Sequence, residues 1–188
     1  RLDEPEVNDG LINDSKEAQL KNLLYLKDLH KDEIIQLLDQ SDHFLKSNQP
    51  HEFVELLKNQ SIASLFFEPS TRTSASFQLA AKRLGAETIM IDEKTSSATK
   101  GETVLDTIKN LEAMGVRGFI IRTGDKNLFA PLIDNVGSNT SLISAGEASI
   151  SHPTQGLLDL LTIRQQKSSF DDLKVVIMGD ISHSRVAR

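Results

Sequence analysis

At 188 residues the chain is long enough to bury a core, and its 38% hydrophobic and 26% charged residues are the balance of a globular protein. A formal net charge of −6 argues against a general nucleic-acid surface but leaves room for a local basic pocket. The absence of cysteine excludes disulfides and thiolate catalysis, and no apolar run approaches the roughly 20 residues of a membrane helix, so a cytoplasmic protein without a membrane partner is expected.

Residues 1–20 are polar and acidic and are expected to form a mobile leader. Leu23-Leu24-Tyr25-Leu26 leads the chain inward. The spacing of Ile34, Leu37, Leu38 and Leu45 predicts a helix over 31–46, with Glu33 offering half a capping box because residue 30 is His rather than Ser or Thr. Residues 51–58 read as a short helix. A buried strand at 62–67 runs into Glu68-Pro69-Ser70-Thr71-Arg72-Thr73, and a helix over about 75–84 follows on Phe77, Ala80, Ala81 and Leu84. Next come a strand at 88–91, a polar loop holding Ser96 and Lys100, and a helix over 101–114 with Val104, Leu105, Ile108, Leu111 and Met114 inside. A strand at 118–121 ends in Arg122, a helix spans about 126–135, and a strand occupies 141–143. His152-Pro153-Thr154-Gln155 opens a helix to about residue 166 with Leu157, Leu158, Leu160, Leu161 and Ile163 inside, and residues 174–178 read as a last strand.

Strands alternating with helices predict an α/β fold with a mainly parallel sheet and right-handed crossovers. Ligands of such sheets gather at the C-terminal strand ends. That rule collects Ser70–Thr73, Ser96 and Lys100, Arg122, His152 and Gln155, and Arg185 on one rim. Each has a plain reading alone: a helix cap, a loop residue, a surface charge. Together they form an excess of hydrogen-bond donors, which predicts an anionic ligand. Ser70 to Thr73 stand where a helix start offers unpaired N–H groups, so this turn is the candidate anion site, with capping as the competing use. The five histidines lack ligand spacing and no glycine-rich nucleotide loop is present, so neither a metal nor a cofactor is expected. With no nucleophile–base pair apparent, the implied chemistry is positioning and electrostatic stabilisation.

Five segments, in order, resemble the aspartate/ornithine carbamoyltransferase family: Phe66-Phe67-Glu68-Pro69-Ser70-Thr71-Arg72-Thr73; Ser96 with Lys100-Gly101-Glu102; Arg122; His152-Pro153-Thr154-Gln155 with Leu157-Leu158-Asp159-Leu160; and Gly179 to Arg188. His-Pro-Thr-Gln, where the ornithine branch usually has His-Pro-Cys-Gln, and the Lys-Gly-Glu loop favour the aspartate branch. The resemblance covers about residues 20–188. It implies a carbamoyl-phosphate-binding domain over 21–151, then a linking helix and the beginning of a truncated aspartate-binding domain over 152–188.

The resemblance further implies transfer of the carbamoyl group of carbamoyl phosphate to the amine of L-aspartate, in pyrimidine biosynthesis, with no cofactor. Ser70, Thr71, Arg72 and Thr73 would hold the phosphate, and Arg122 would bridge phosphate and carbonyl. Thr73, Arg122 and His152 would polarise the carbonyl oxygen, Gln155 would bind the carbamoyl amino group, and Arg72 would join the catalytic set. Ser96 and Lys100 would enter the site of an adjacent subunit, making a homotrimer the working unit, with regulatory chains or a dihydroorotase as the further partners the family allows. Lys100 and Arg185 would meet aspartate. The 188-residue piece alone is then expected to bind carbamoyl phosphate weakly and turn over little. Transfer to ornithine or another amine, and a non-catalytic structural homologue, are the competing readings. The chain departs from the family pattern at Ser74, where a second arginine is frequent, at Thr123, where His is frequent, and at Glu147-Ala148, where Asp-Gly is common.

Overall fold

The structure, a computed structural model, describes residues 20–46, 54–92, 102–167 and 169–187. Residues 1–19 of the proposed leader, the start of the 51–58 segment and the loop with Ser96 and Lys100 lie outside the described residues. Nine elements carry the fold: α1 (Lys31–Lys46), β1 (Ser61–Phe66), α2 (Thr71–Arg83), β2 (Glu87–Asp92), α3 (Val104–Ala113), β3 (Gly118–Thr123), α4 (Phe129–Asn135), β4 (Ser141–Glu147) and α5 (Pro153–Gln166). The four strands are parallel in the order β2-β1-β3-β4.

That order locates the ligand crevice. The chain moves outward from β1 to β2, then returns past β1 to β3, so the direction of winding reverses between β1 and β3. The residues following these two strands are the turn at 69–73 and the rim around Arg122.

Alternation along the strands separates two cores. Ala63, Phe119 and Leu142 are register partners across the sheet, all fully buried, and with Leu65 and Ile121 they pack against Ile108 and Leu111 of α3 and Phe129 and Leu132 of α4. The opposite face presents Phe66, Ile120 and Ala145 to Phe77 of α2. This is the division right-handed crossovers produce, with α2 on one side and α3 and α4 on the other. Burying side chains of this size contributes about 1.5–3 kcal/mol each. α5 packs on β4 and on α1, where Arg164 reaches Asp39 and Asp42 at 2.6 and 2.7 Å.

Several expectations need correction. α2 begins at Thr71, not near 75, because the first helical N–H groups need no intrahelical partner and polar residues can occupy that turn. Residues 54–60 form turns instead of a helix: Val54 and Leu57 N–H donate to Arg83 O and Leu84 O at 2.7 Å, so they close the end of α2 rather than a turn of their own. Residues 174–178 are not a strand. Val175, Val176, Ile177 and Met178 are all more than half exposed, and among the described residues no strand pairs with them, so apolar, β-branched composition has no ladder to join. Met114 and Leu158, expected inside, are 77% and 56% exposed. The half capping box is present: His30 N–H donates to the Glu33 carboxylate at 2.7 Å.

Candidate functional site

A cleft of about 830 Å³ opens at the C-terminal strand ends, walled by the starts of α2 and α5. Ser70, Arg72, Thr73, Arg122, His152, Gln155 and Arg185 line it. Seven of the residues singled out from sequence therefore converge on one cavity. Thr71 lies at the first position of α2, exposed, and does not line the cleft. Ser96 and Lys100 lie outside the described residues.

The two helix starts facing the cleft are open. Ser70 has the extended backbone of an N-cap, yet its side chain makes no capping bond, and neither does that of His152 before α5. The capping uses weighed for these residues are not made. α3 shows the contrast, since Thr103 and Asp106 form a complete capping box there. Uncapped starts leave N–H groups and the positive dipole end available to an anion. Ser74, at the position where the family often has arginine, accepts from Gln78 Nε2 at 2.8 Å and does not line the cleft.

Arg122 is set by β3. Its Nη1 donates to Ala145 O at 2.9 Å, while Nε is buried without a hydrogen-bond partner among the described residues, 3.6 Å from the Glu68 carboxylate. Burial and the neighbouring Arg185 push its pKa down from the usual guanidinium range, and Glu68 opposes them. Arg185 Nη2 bonds the same Glu68 oxygen at 2.9 Å. One carboxylate thus joins two arginines from opposite parts of the sequence. Its role was hidden because an acid inside an otherwise donor-rich motif has no meaning until Arg185 folds back onto it.

Gly146 was also missed. The β3–β4 register shifts between Ile121 and Thr123, and Gly146 lies on the bulged strand at φ +124°, a conformation that favours glycine. A Cβ there would stand 2.8 Å from Arg122 Nη1 and 3.0 Å from Arg185 Nη1. The missing side chain is the space the two guanidinium groups occupy.

His152 is half-buried. Burial lowers its pKa below the ordinary imidazole value, and Arg122 and Arg185 lower it further against a smaller opposing pull from Asp159. At neutral pH the ring is therefore neutral, able to donate one N–H without adding positive charge. Gln155 donates its amide nitrogen to Asp159 at 3.0 Å, which leaves its amide oxygen to accept from a ligand N–H. Phe77 and Leu158 supply apolar wall, a role their helical spacing could not separate from core packing. Donor surplus, open helix starts and a neutral imidazole suit a small anionic ligand.

Residues 21–165 match the family model described as aspartate/ornithine carbamoyltransferase, carbamoyl-P binding domain. The chain belongs to the carbamoyltransferase family. Among named carbamoyltransferases, it is 51% identical over 174 residues to the aspartate carbamoyltransferase catalytic subunit of Stenotrophomonas maltophilia (strain K279a), covering 91% of this chain and 55% of that protein. Among solved structures it is similar to the catalytic subunit of M. jannaschii aspartate transcarbamoylase, with a TM-score of 0.79, 34% identity, 89% of this chain and 54% of that one. Trypanosoma cruzi aspartate transcarbamoylase in complex with aspartate and phosphate gives a TM-score of 0.80 at 28% identity, over 88% and 50%. The chain spans about half the length of the relatives it matches.

Proposed function

We propose that the protein containing this chain transfers the carbamoyl group of carbamoyl phosphate to the amino group of L-aspartate, as a step of pyrimidine biosynthesis in the cytoplasm. The observation that carries the reading is the cleft itself: two uncapped helix starts and three arginines around one small cavity, in a carbamoyl-phosphate-binding family.

In this mechanism the phosphate sits on the start of α2, held by the N–H groups of its first turn, by the hydroxyls of Ser70 and Thr73 and by Arg72, with Thr71 contributing through its backbone. Arg122 spans phosphate and carbonyl. The aspartate amine attacks the carbonyl carbon, and Thr73, Arg122 and the neutral His152 stabilise the oxyanion that forms. Gln155 accepts from the carbamoyl amino group and keeps the carbonyl facing these donors. The carbon–oxygen bond to phosphate then breaks, and the amine proton leaves with the departing phosphate or solvent. Positioning and electrostatics supply the catalysis, with no protein nucleophile.

Residues 152–188 are proposed to open an aspartate-binding domain, with Arg185 meeting an aspartate carboxylate. Ser96 and Lys100 are proposed to complete the site of a neighbouring subunit in a homotrimer. Carbamoyl-aspartate formation by the full-length protein, with ornithine as the rival amine, tests the reaction; carbamoylation of ornithine in preference to aspartate would overturn it. Subunit sharing is tested by mixing full-length Lys100→Ala and His152→Ala proteins, each expected to be inactive. Hybrid trimers should regain activity because one site escapes both changes, and no recovery would refute sharing.

A further inference from the structure

The short hairpin that joins β4 to α5 has a site residue at each foot. Before it, Ala145 O accepts from Arg122 and Gly146 makes room for both guanidinium groups. After it comes His152. The hairpin closes on itself through Glu147 N–H to Ser151 O at 2.9 Å and Ile150 N–H to Glu147 O at 2.8 Å. Ala148 stands at φ +42°, a conformation that a non-glycine residue keeps only when its surroundings enforce it. The enforcement comes from outside the hairpin.

Ala148 N–H donates to Thr123 O at 2.7 Å, and the Ser151 hydroxyl donates to Leu24 O at 2.9 Å. Glu147 is fully buried; its Oε2 accepts the Tyr25 hydroxyl at 2.6 Å and its Oε1 the Asn127 N–H at 2.9 Å. Residues 22–25 are anchored along β4: Asn22 Oδ1 accepts from Leu142 N–H, Leu23 N–H donates to Leu142 O, and Ser144 N–H donates to Leu23 O, each at 2.9 Å. This segment, some 120 residues away in sequence, therefore grips the hairpin at Glu147 and at Ser151.

A buried carboxylate is costly unless its oxygens are bonded, so stability alone favours an apolar side chain at such a place. What hydrogen bonds add is fixed distance and direction. We propose that Tyr25 and Glu147 are a positioning pair: the strap at residues 22–25 holds the 147–151 hairpin, and through it sets Gly146 against the two guanidinium groups and His152 against the reacting carbonyl. What His152 is held against rests on the carbamoyl-transfer reading; the strap itself is read from the bonds above. Tyr25 is suited to the task, because burial and the adjacent Glu147, with a smaller effect from Asp28, push its pKa well above the ordinary phenol value and keep it a donor. The charged groups acting on His152 are Arg122, Arg185 and Asp159.

The test uses the full-length protein and its Tyr25→Phe and Glu147→Gln variants. Thermal unfolding, the NMR titration of the His152 imidazole (assigned with His152→Gln) and NMR-detected binding of carbamoyl phosphate and of inorganic phosphate are measured on each. Both variants should unfold cooperatively, and the His152 midpoint should move up toward the ordinary value of about 6.5 as the ring gains water and distance from the arginines. Carbamoyl phosphate should bind about 5-fold more weakly, the scale of one buried hydrogen bond. Inorganic phosphate, which needs the turn at 70–73 more than His152, should change less. A lower melting temperature with the His152 midpoint and the ratio of the two affinities unchanged overturns the positioning role. Should Tyr25→Phe not fold, Ser151→Ala removes the other grip of the strap and is read the same way. A full-length wild-type protein with no preference for carbamoyl phosphate overturns the functional reading instead, and the strap is then decided by the His152 midpoint.

Discussion

At the edge where the strands begin, Glu112 accepts from Gly137 N–H at 2.7 Å and from the Thr140 hydroxyl at 2.5 Å, and pairs with Lys109 at 3.2 Å. Arg117 beside it donates to Glu112 O and Val116 O at 2.8 and 2.9 Å. At the edge where the strands end, two arginines share one carboxylate and a third lines the same cleft, Arg122 Nε has no hydrogen-bond partner among the described residues, and two helices start without side-chain caps. The same residue types serve both edges. One set consumes its bonds internally and fastens α3 to the loop before β4; the other keeps donors in reserve. Unspent donors around a cavity, rather than charge itself, distinguish a binding rim from a structural cluster.

The sharpest way to break the contrast is at Arg122. Arg122→Ala should weaken carbamoyl phosphate binding by roughly 100-fold, the scale of losing a preorganised donor, measured by ligand titration. Arg122→Lys should not rescue it, because a single ammonium cannot both hold Ala145 O and serve the ligand. Gly146→Ala should follow, with about 10-fold weaker binding and a stability loss of about 1–3 kcal/mol from strain at positive φ and displaced guanidinium groups, read by titration and denaturant unfolding.

Glu112 probes the opposite edge. Glu112→Gln should lower stability by about 1–2 kcal/mol while carbamoyl phosphate affinity stays at the wild-type value. Burial raises the Glu112 pKa, but hydrogen bonds from Thr140 and Gly137 and the nearby Lys109 outweigh it, so the net shift is downward. A depressed carboxylate pKa contributes stability above the unfolded value, about 4.3, and loses it as pH falls through the folded value. The gap in stability between wild type and Glu112→Gln should therefore close below about pH 4, which unfolding curves across pH 3–7 will read. The smallest effects compare helix starts. Thr103→Ala should cost about 1 kcal/mol with binding unchanged, whereas Ser70→Ala should barely alter stability and weaken phosphate binding a few-fold.

Much of this arrangement is legible in the sequence. Alternating apolar runs and amphipathic segments point to a mainly parallel sheet of five strands, four of which form, and the rule that ligands sit at strand C-termini brings Ser70, Arg122, His152 and Gln155 together before any coordinates. Local signals mislead where a bond goes to a distant partner. Residues 51–58 look helical, but Val54 and Leu57 donate to the end of α2, and residues 174–178 look like a strand but meet none among the described residues. Leu158 fits the apolar stripe of α5 and instead faces the cleft.

By itself, then, the sequence determined the α/β class and marked the candidate donors, because periodicity and residue chemistry are local properties. Tertiary structure alone decided that the Ser70 and His152 side chains leave their helices uncapped, that Glu68 joins Arg122 to Arg185, that Gly146 is the gap holding both guanidinium groups, and that Tyr25 reaches Glu147. Each of these depends on segments brought together by the crossing order β2-β1-β3-β4 and by the bulge in β4. Spacing along a chain does not encode such meetings; the packing of the sheet does.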